Sequence, residues 1–234
     1  MATTLKNDGF KIINGIYSET EVTAILQFLE KKQVARQFGV RAFLKSNPEL
    51  NALIFNKNLL RTIANISKKA QIIKSIYFDK PPNANWIVNW HQDLTINVTG
   101  KIEVEGFKNW RVLKDRTVVQ PPLAILENIF TVRIHLDKCT KENGALRVLK
   151  NTHQNGVIEV KNGVQYLQKE EVVCQVEKGG ILLIKPLILH SSRRTENDKN
   201  RRVIHIEFCD MKLPRGLNWQ EAQQIWEWYR FDKK

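Results

Sequence analysis

Arg201-Arg202-Val203-Ile204-His205-Ile206-Glu207-Phe208 is the stretch whose alternation decides how the chain folds. As a strand it puts Arg201, Val203, His205 and Glu207 on one face and Arg202, Ile204, Ile206 and Phe208 on the other. Ile129 to Leu136 repeats the pattern, with Ile129, Thr131, Arg133 and His135 opposite Phe130, Val132, Ile134 and Leu136. Two readings fit such strands. Their polar face is open to water on a one-sided sheet, or it lines a barrel whose apolar outside lies under helices. Alternation alone leaves both open.

Outward from these two strands, Ile87–Val98, Ala145–Leu149, Val172–Val176 and Gly180–Ile184 also read as strands. Turn signals separate them at Pro81-Pro82, Glu142-Asn143-Gly144, Asn155-Gly156, Asn162-Gly163 and Gly179-Gly180. The first third of the chain reads differently. Ser18 to Glu21 is a capping box ahead of Val22, Ile25, Leu26 and Leu29. Pro48–Leu60 and Leu60–Ile73 recur at three and four like further helices, and the period falls to two only from Ser75. The tail from Asn218 to Phe231 returns to helical spacing, carrying Trp219, Trp226 and Trp228. Helices followed by many strands give an α+β domain with a curled antiparallel sheet packed on helices.

With 234 residues, one core and one domain are expected. The segments are a helical layer over residues 1–74, a strand-rich core over 75–210 and a helical tail over 211–234. The net charge of +13 favours anionic partners: a nucleic acid, an acidic membrane, or small acids and phosphates. Lys and Arg are nevertheless spread along the chain, with no basic tail, so a solvated basic surface fits equally. Cys139, Cys174 and Cys209 lack paired or zinc-like spacing and suit free thiols in a reducing compartment. Met1–Phe10 has no apolar leader core, and Ile181–Leu189 is too short to span a bilayer. These features give the expectation of a cytoplasmic protein with no membrane partner.

Asn89-Trp90-His91-Gln92-Asp93 falls within an expected strand, where residues two apart share a face, so His91 and Asp93 can reach one metal ion. His190 closes the apolar run 181–189 and is the candidate third ligand. Two imidazoles and one carboxylate leave three adjacent coordination positions free, which suits an Fe(II) oxygenase. A lone His-x-Asp is weak evidence and a single His is weaker. Arg201, eleven residues after His190 on a polar strand face, adds a guanidinium able to clamp a carboxylate through two parallel hydrogen bonds. Ser192 can add a hydroxyl to the same carboxylate.

Together, Gly9-Phe10, Lys80-Pro81-Pro82, Trp90-His91-Gln92-Asp93, Glu142-Asn143-Gly144-Ala145-Leu146 and His190-x-Ser192 with Arg201 resemble the phytanoyl-CoA dioxygenase family in order and spacing, over most of the chain. The resemblance implies a mainly β, double-stranded β-helix (jelly-roll, cupin-like) barrel with an N-terminal helical layer. It implies Fe(II) held by His91, Asp93 and His190, and 2-oxoglutarate held at its distal carboxylate by Arg201 and Ser192. Arg201 then points into the barrel, and Arg133 takes a lumen position that in the family lies near the cosubstrate. Lys80 and Asn89, which closely precede the ligand strand, are added as candidates near the mouth.

The implied reaction consumes O2 and 2-oxoglutarate, releases succinate and CO2, and hydroxylates a C–H bond of a small molecule. Related halogenases lack the carboxylate ligand. Asp93 is present here, so hydroxylation, desaturation or ring closure is favoured over halogenation. Action on a nucleic acid or protein, and a non-catalytic jelly-roll binding module, are the alternatives. The family's Pro-Gly-Ser-His turn is replaced by Lys150-Asn151-Thr152-His153, which makes His153 structural rather than a ligand. His135 and His205 are read as packing or hydrogen bonding inside the barrel, and Thr99–Pro122 as either a lid or a hairpin extension.

Overall fold

A computed structural model describes residues 2–33, 39–80, 87–159, 168–214 and 216–226. Two sheets face one another. The larger runs β1 (Phe10–Ile13), β11 (Ile181–Ile184), β8 (Phe130–His135), β13 (Arg202–Cys209), β3 (Gln71–Asp79) and β14 (Gln223–Gln224), with β2 (Gly39–Arg41) also pairing with β3. The smaller runs β10 (Glu171–Val173), β9 (Leu146–Leu149), β12 (His190–Ser192) and β4 (Val88–His91). Every pairing is antiparallel, and the chain crosses between sheets from β3 to β4 and again from β8 to β9 and from β11 to β12. That alternation is the wiring of a double-stranded β-helix.

The two alternating strands settle as a barrel wall. Phe130, Val132, Ile134, Ile204, Ile206 and Phe208 pack outward on Val22, Ile25 and Leu29 of α2 (Glu19–Lys31) and on Leu59 and Ile63 of α5 (Lys57–Ala64). Between those helices lie the short α3 (Phe43–Ser46) and α4 (Asn51–Ile54), and α1 (Ala2–Asp8) precedes β1. Ser18 caps α2 in a complete capping box with Glu21. The inner face is left to Thr131, Arg133, His135, His205 and Glu207, of which Arg133 is half-buried and the others buried. The lumen is polar because the outside is already committed to the helices.

Several expected boundaries move. The helix expected over Leu60–Ile73 ends at Ala64, and Ile72 and Ile73 belong to β3, whose ladder with β13 outweighs local helical spacing. Pro48–Leu60 divides into a 3-10 turn over Pro48–Leu50, then α4, then the start of α5 capped by Asn56. The strand expected over Ile87–Val98 breaks into β4 and β5 (Ile96–Val98). No C-terminal helix forms over 218–225. Trp219 bridges to Val98, and Gln223 and Gln224 add a short edge to β3. Trp228 and the rest of the tail lie outside the described residues, as do the turns at Pro81-Pro82 and Asn162-Gly163.

Residues 99–122 form a hairpin extension. β6 (Lys108–Val112) pairs with β7 (Thr117–Gln120), which pairs with β5, and α6 (Leu123–Asn128) follows. Among the described residues no helix is long and apolar enough to cross a membrane. The three cysteines are buried free thiols.

Candidate active site

β12 and β4 run side by side with His190 registered directly on His91. Their rings lie 4.2 Å apart between centroids. Asp93 follows β4 on an irregular stretch, its amide bonded to the carbonyl of Pro186, and its carboxylate reaches the Nε2 edge of both rings. His91 Nε2 is 3.9 Å from Oδ1 and His190 Nε2 is 3.7 Å from Oδ2. One donor atom from each residue falls within 4.8 Å of the others, a spacing able to hold a metal ion.

Local chemistry prepares all three donors. The Nδ1 of His91 is 2.8 Å from the carbonyl of Asn89, and that of His190 is 3.0 Å from the carbonyl of Ile188. A carbonyl only accepts, so Nδ1 carries the proton and Nε2 presents its lone pair. Burial drives the His190 imidazole down to about 4, with Asp93 opposing and His91 reinforcing, so the ring is neutral at pH 7. Burial also pushes the Asp93 carboxyl up, but His190, His205, Lys74 and His91 outweigh it and hold the group at about 2. The His91 and Asp93 side chains are 38% and 35% exposed against 7% for His190, which places the mouth on the His91–Asp93 side.

Gln92, which the sequence reading left without a role, ties this corner together. Its Nε2 donates to the carbonyls of Gly156 at 2.8 Å and Leu187 at 2.5 Å, and its Oε1 accepts from the amide of Ile158 at 2.7 Å. Three chain segments therefore meet on one side chain between two ligands. Gln92→Leu strands those buried groups and is expected to cost on the order of 3 kcal/mol of stability. Chemical denaturation measures that cost, and a loss below about 0.5 kcal/mol would refute this account.

Arg201 enters β13 at the other end of the lumen. It is buried, in contact with the Cys139 sulfur, and its Nε has no hydrogen-bond partner. His135, on the lumen face of β8, has both ring nitrogens buried and unpartnered, and burial, Arg133 and Arg201 keep it neutral. The Arg133 Nε is likewise buried and unpartnered, and burial with Arg201 nearby lowers its guanidinium to about 10. Ser192 is buried two residues beyond His190 on β12. Two guanidiniums whose Nε donors are buried and unused could take an anion.

The remaining sequence candidates sit apart. Lys80 lies at the Arg201 end, its amide bonded to the Arg201 carbonyl and its ammonium donating to the Arg193 carbonyl at 2.8 Å. Burial, and Arg201 after it, lowers this Lys80 ammonium to about 8. Gly144 permits that approach, since a Cβ there would stand 2.9 Å from the Arg193 carbonyl oxygen. Asn89 is exposed on β4 and touches the site through its own carbonyl. His153 packs beneath Gly9 with Nε2 on the Lys6 carbonyl, away from the three donors.

Known structures share this architecture. The α-ketoglutarate-dependent carbocyclase SnoK from nogalamycin biosynthesis superposes with a TM-score of 0.68 at 16% identity, over 98% of this chain and 88% of that one. EctD from S. alaskensis, solved with 2-oxoglutarate and 5-hydroxyectoine, gives 0.66 at 14% identity, over 95% and 82%. HygX from Streptomyces hygroscopicus, solved with nickel and 2-oxoglutarate, gives 0.63 at 14% identity, over 88% and 84%. At these identities the likeness establishes the fold. No curated protein matches the sequence. The pattern of phytanoyl-CoA dioxygenase (PhyH) matches residues 5–203, and with that span the chain belongs to this family of enzymes, the Fe(II)- and 2-oxoglutarate-dependent oxygenases.

Proposed function

We propose that the protein is an oxygenase of a small molecule, with iron held by His91, Asp93 and His190 and the distal carboxylate of 2-oxoglutarate held by Arg201 and Ser192. The observation that carries this reading is the presence on one lumen of three metal-competent donors and a buried guanidinium whose Nε is unpartnered. Bound there, Fe(II) with 2-oxoglutarate and O2 supplies the oxidising power for hydroxylation, with succinate and CO2 released. The chain's own residues position and exclude. His91 and His190 offer Nε2 to the metal because backbone carbonyls hold their Nδ1, and Asp93 brings the negative charge that a divalent cation requires. Arg201 and Ser192 would orient the carboxylate, with Arg133 close enough to both Arg201 and Asp93 to feel their charges, and His135 beside the two guanidiniums.

A small-molecule substrate is favoured by SnoK, from nogalamycin biosynthesis, and by EctD, solved with 5-hydroxyectoine. Some basicity around the site is expected without any polymer, because the cosubstrate is itself a dianion. The iron-loaded protein is expected to release succinate from 2-oxoglutarate when given the right fraction of a metabolite pool. If every fraction leaves succinate at the level of a metal-free control, the small-molecule assignment fails.

A further inference from the structure

A second polar chain runs along the lumen from Arg133, and its other members have no role in the steps above. Arg133 Nη1 is 3.0 Å from His205 Nδ1. A guanidinium can only donate, so Nδ1 accepts and the ring proton is on Nε2. That Nε2 stands 3.1 Å from Glu207 Oε1 and donates to it. The same oxygen accepts from the Lys74 ammonium at 2.8 Å, which also donates to the Thr95 carbonyl at 3.1 Å. All four side chains come from adjacent strands, with Arg133 registered on His205 and Glu207 on Lys74. Phe78 braces the chain, edge-on to His205 at 5.9 Å and 5.7 Å from the Arg133 guanidinium carbon.

The charges along this chain are unevenly matched. Glu207 is neutralised by Lys74, and His205 is pulled down by burial, with Arg133 adding to that against the pull of Glu207, so it stays neutral. Arg133 therefore has a neutral partner on one side and an unpartnered Nε on the other. Such a cation is expensive to bury unless an anion completes it.

We propose that His205, locked by Glu207 and Lys74, is a positioning residue that fixes the Arg133 guanidinium with its free donor turned towards the carboxylates of 2-oxoglutarate. This rests on the reading of the lumen as a 2-oxoglutarate site. His205 touches neither metal nor cosubstrate and acts through Arg133.

The test is calorimetry of 2-oxoglutarate binding to Mn(II)-loaded protein. His205→Leu removes both hydrogen bonds and is expected to weaken binding roughly tenfold or more, the scale on which outer partners act. His205→Gln restores an acceptor for Arg133 and a donor for Glu207 and is expected to stay within about threefold of wild type. Mn(II) affinity measured alone stays unchanged in both, which a merely structural defect would not give. In an Arg133→Met background, His205→Leu is expected to cost nothing further, because the coupled partner is gone. His205→Asn is too short to span both partners and serves if the Leu variant fails to fold, with the same loss expected. Wild-type binding in His205→Leu or His205→Asn, or an undiminished effect in the Arg133→Met background, overturns the proposal. If wild-type protein loaded with Mn(II) binds no 2-oxoglutarate, the cosubstrate reading itself falls and this inference with it.

Discussion

Asp93→Ala is expected to abolish succinate formation while leaving the fold intact. The carboxylate is the negative donor of the three and is held at about 2, so it is fully charged at any working pH. Its removal does more than delete one metal bond. It leaves the two imidazoles facing Lys74, Arg133 and Arg201, so the field at the site turns against a divalent cation. Losing an outer partner of a metal ligand costs ~10–100-fold in affinity, and loss of this donor is expected to exceed that range. Asp93→Asn separates the two contributions, because the amide oxygen keeps the shape and loses the charge. Its Mn(II) affinity is expected to fall between wild type and Asp93→Ala. Stability survives because what anchors residue 93 is its backbone amide on Pro186, which no side-chain change removes. Calorimetry with Mn(II) and a succinate assay read the two effects. Turnover in Asp93→Ala within tenfold of wild type would exclude the proposed ligand set.

Local rules made half of this site readable. His91 and Asp93 are two residues apart, and Arg201, His205 and Glu207 share a face by simple alternation, so their grouping needs no tertiary knowledge. His190 is different. Its place opposite His91 comes from a ladder between segments about a hundred residues apart, and only the spacing to Ser192 and Arg201 hinted at it. Lys74 was beyond reach for the same reason. It meets Glu207 through the β3–β13 register beside a bulge at Glu207/Phe208, and no single-strand pattern encodes a bulge. Over residues 218–225 the expected tail helix gives way to tertiary override. Trp219 and Trp226 carry a helix-like spacing, yet Trp219 fills the core beside Val98 and Leu217 while Gln223 and Gln224 lend an edge to β3. Asp93 itself lies past the end of β4, because its amide finds a loop carbonyl rather than a strand partner. The expected neighbour relation to His91 held although the expected strand did not.

Arg201→Met is expected to move stability and binding in opposite directions. Arg201 is a buried cation with an unpartnered Nε, and among the described residues the Cys139 thiol lies against it. Replacing such a charge with an apolar chain of similar volume is commonly neutral or stabilising by about 1–4 kcal/mol. Each kcal/mol is worth ~2–4 °C in a domain of this size, so the melting temperature without ligand holds or rises. The cosubstrate reverses the comparison. A buried carboxylate losing its guanidinium forfeits about 3 kcal/mol, roughly two orders of magnitude in Kd. Wild-type protein with Mn(II) gains about 2.7 kcal/mol when 2-oxoglutarate reaches a hundredfold excess over Kd, and the variant gains almost none at the same concentration. The two melting curves therefore cross as 2-oxoglutarate is added. Arg201→Lys keeps the charge but offers a point donor where two parallel bonds are needed, so it recovers only part of the binding. If Arg201→Met binds 2-oxoglutarate within threefold of wild type, the anchor lies elsewhere in the lumen. If instead it destabilises the ligand-free protein by several kcal/mol, Arg201 is a structural residue whose empty donor has been misread.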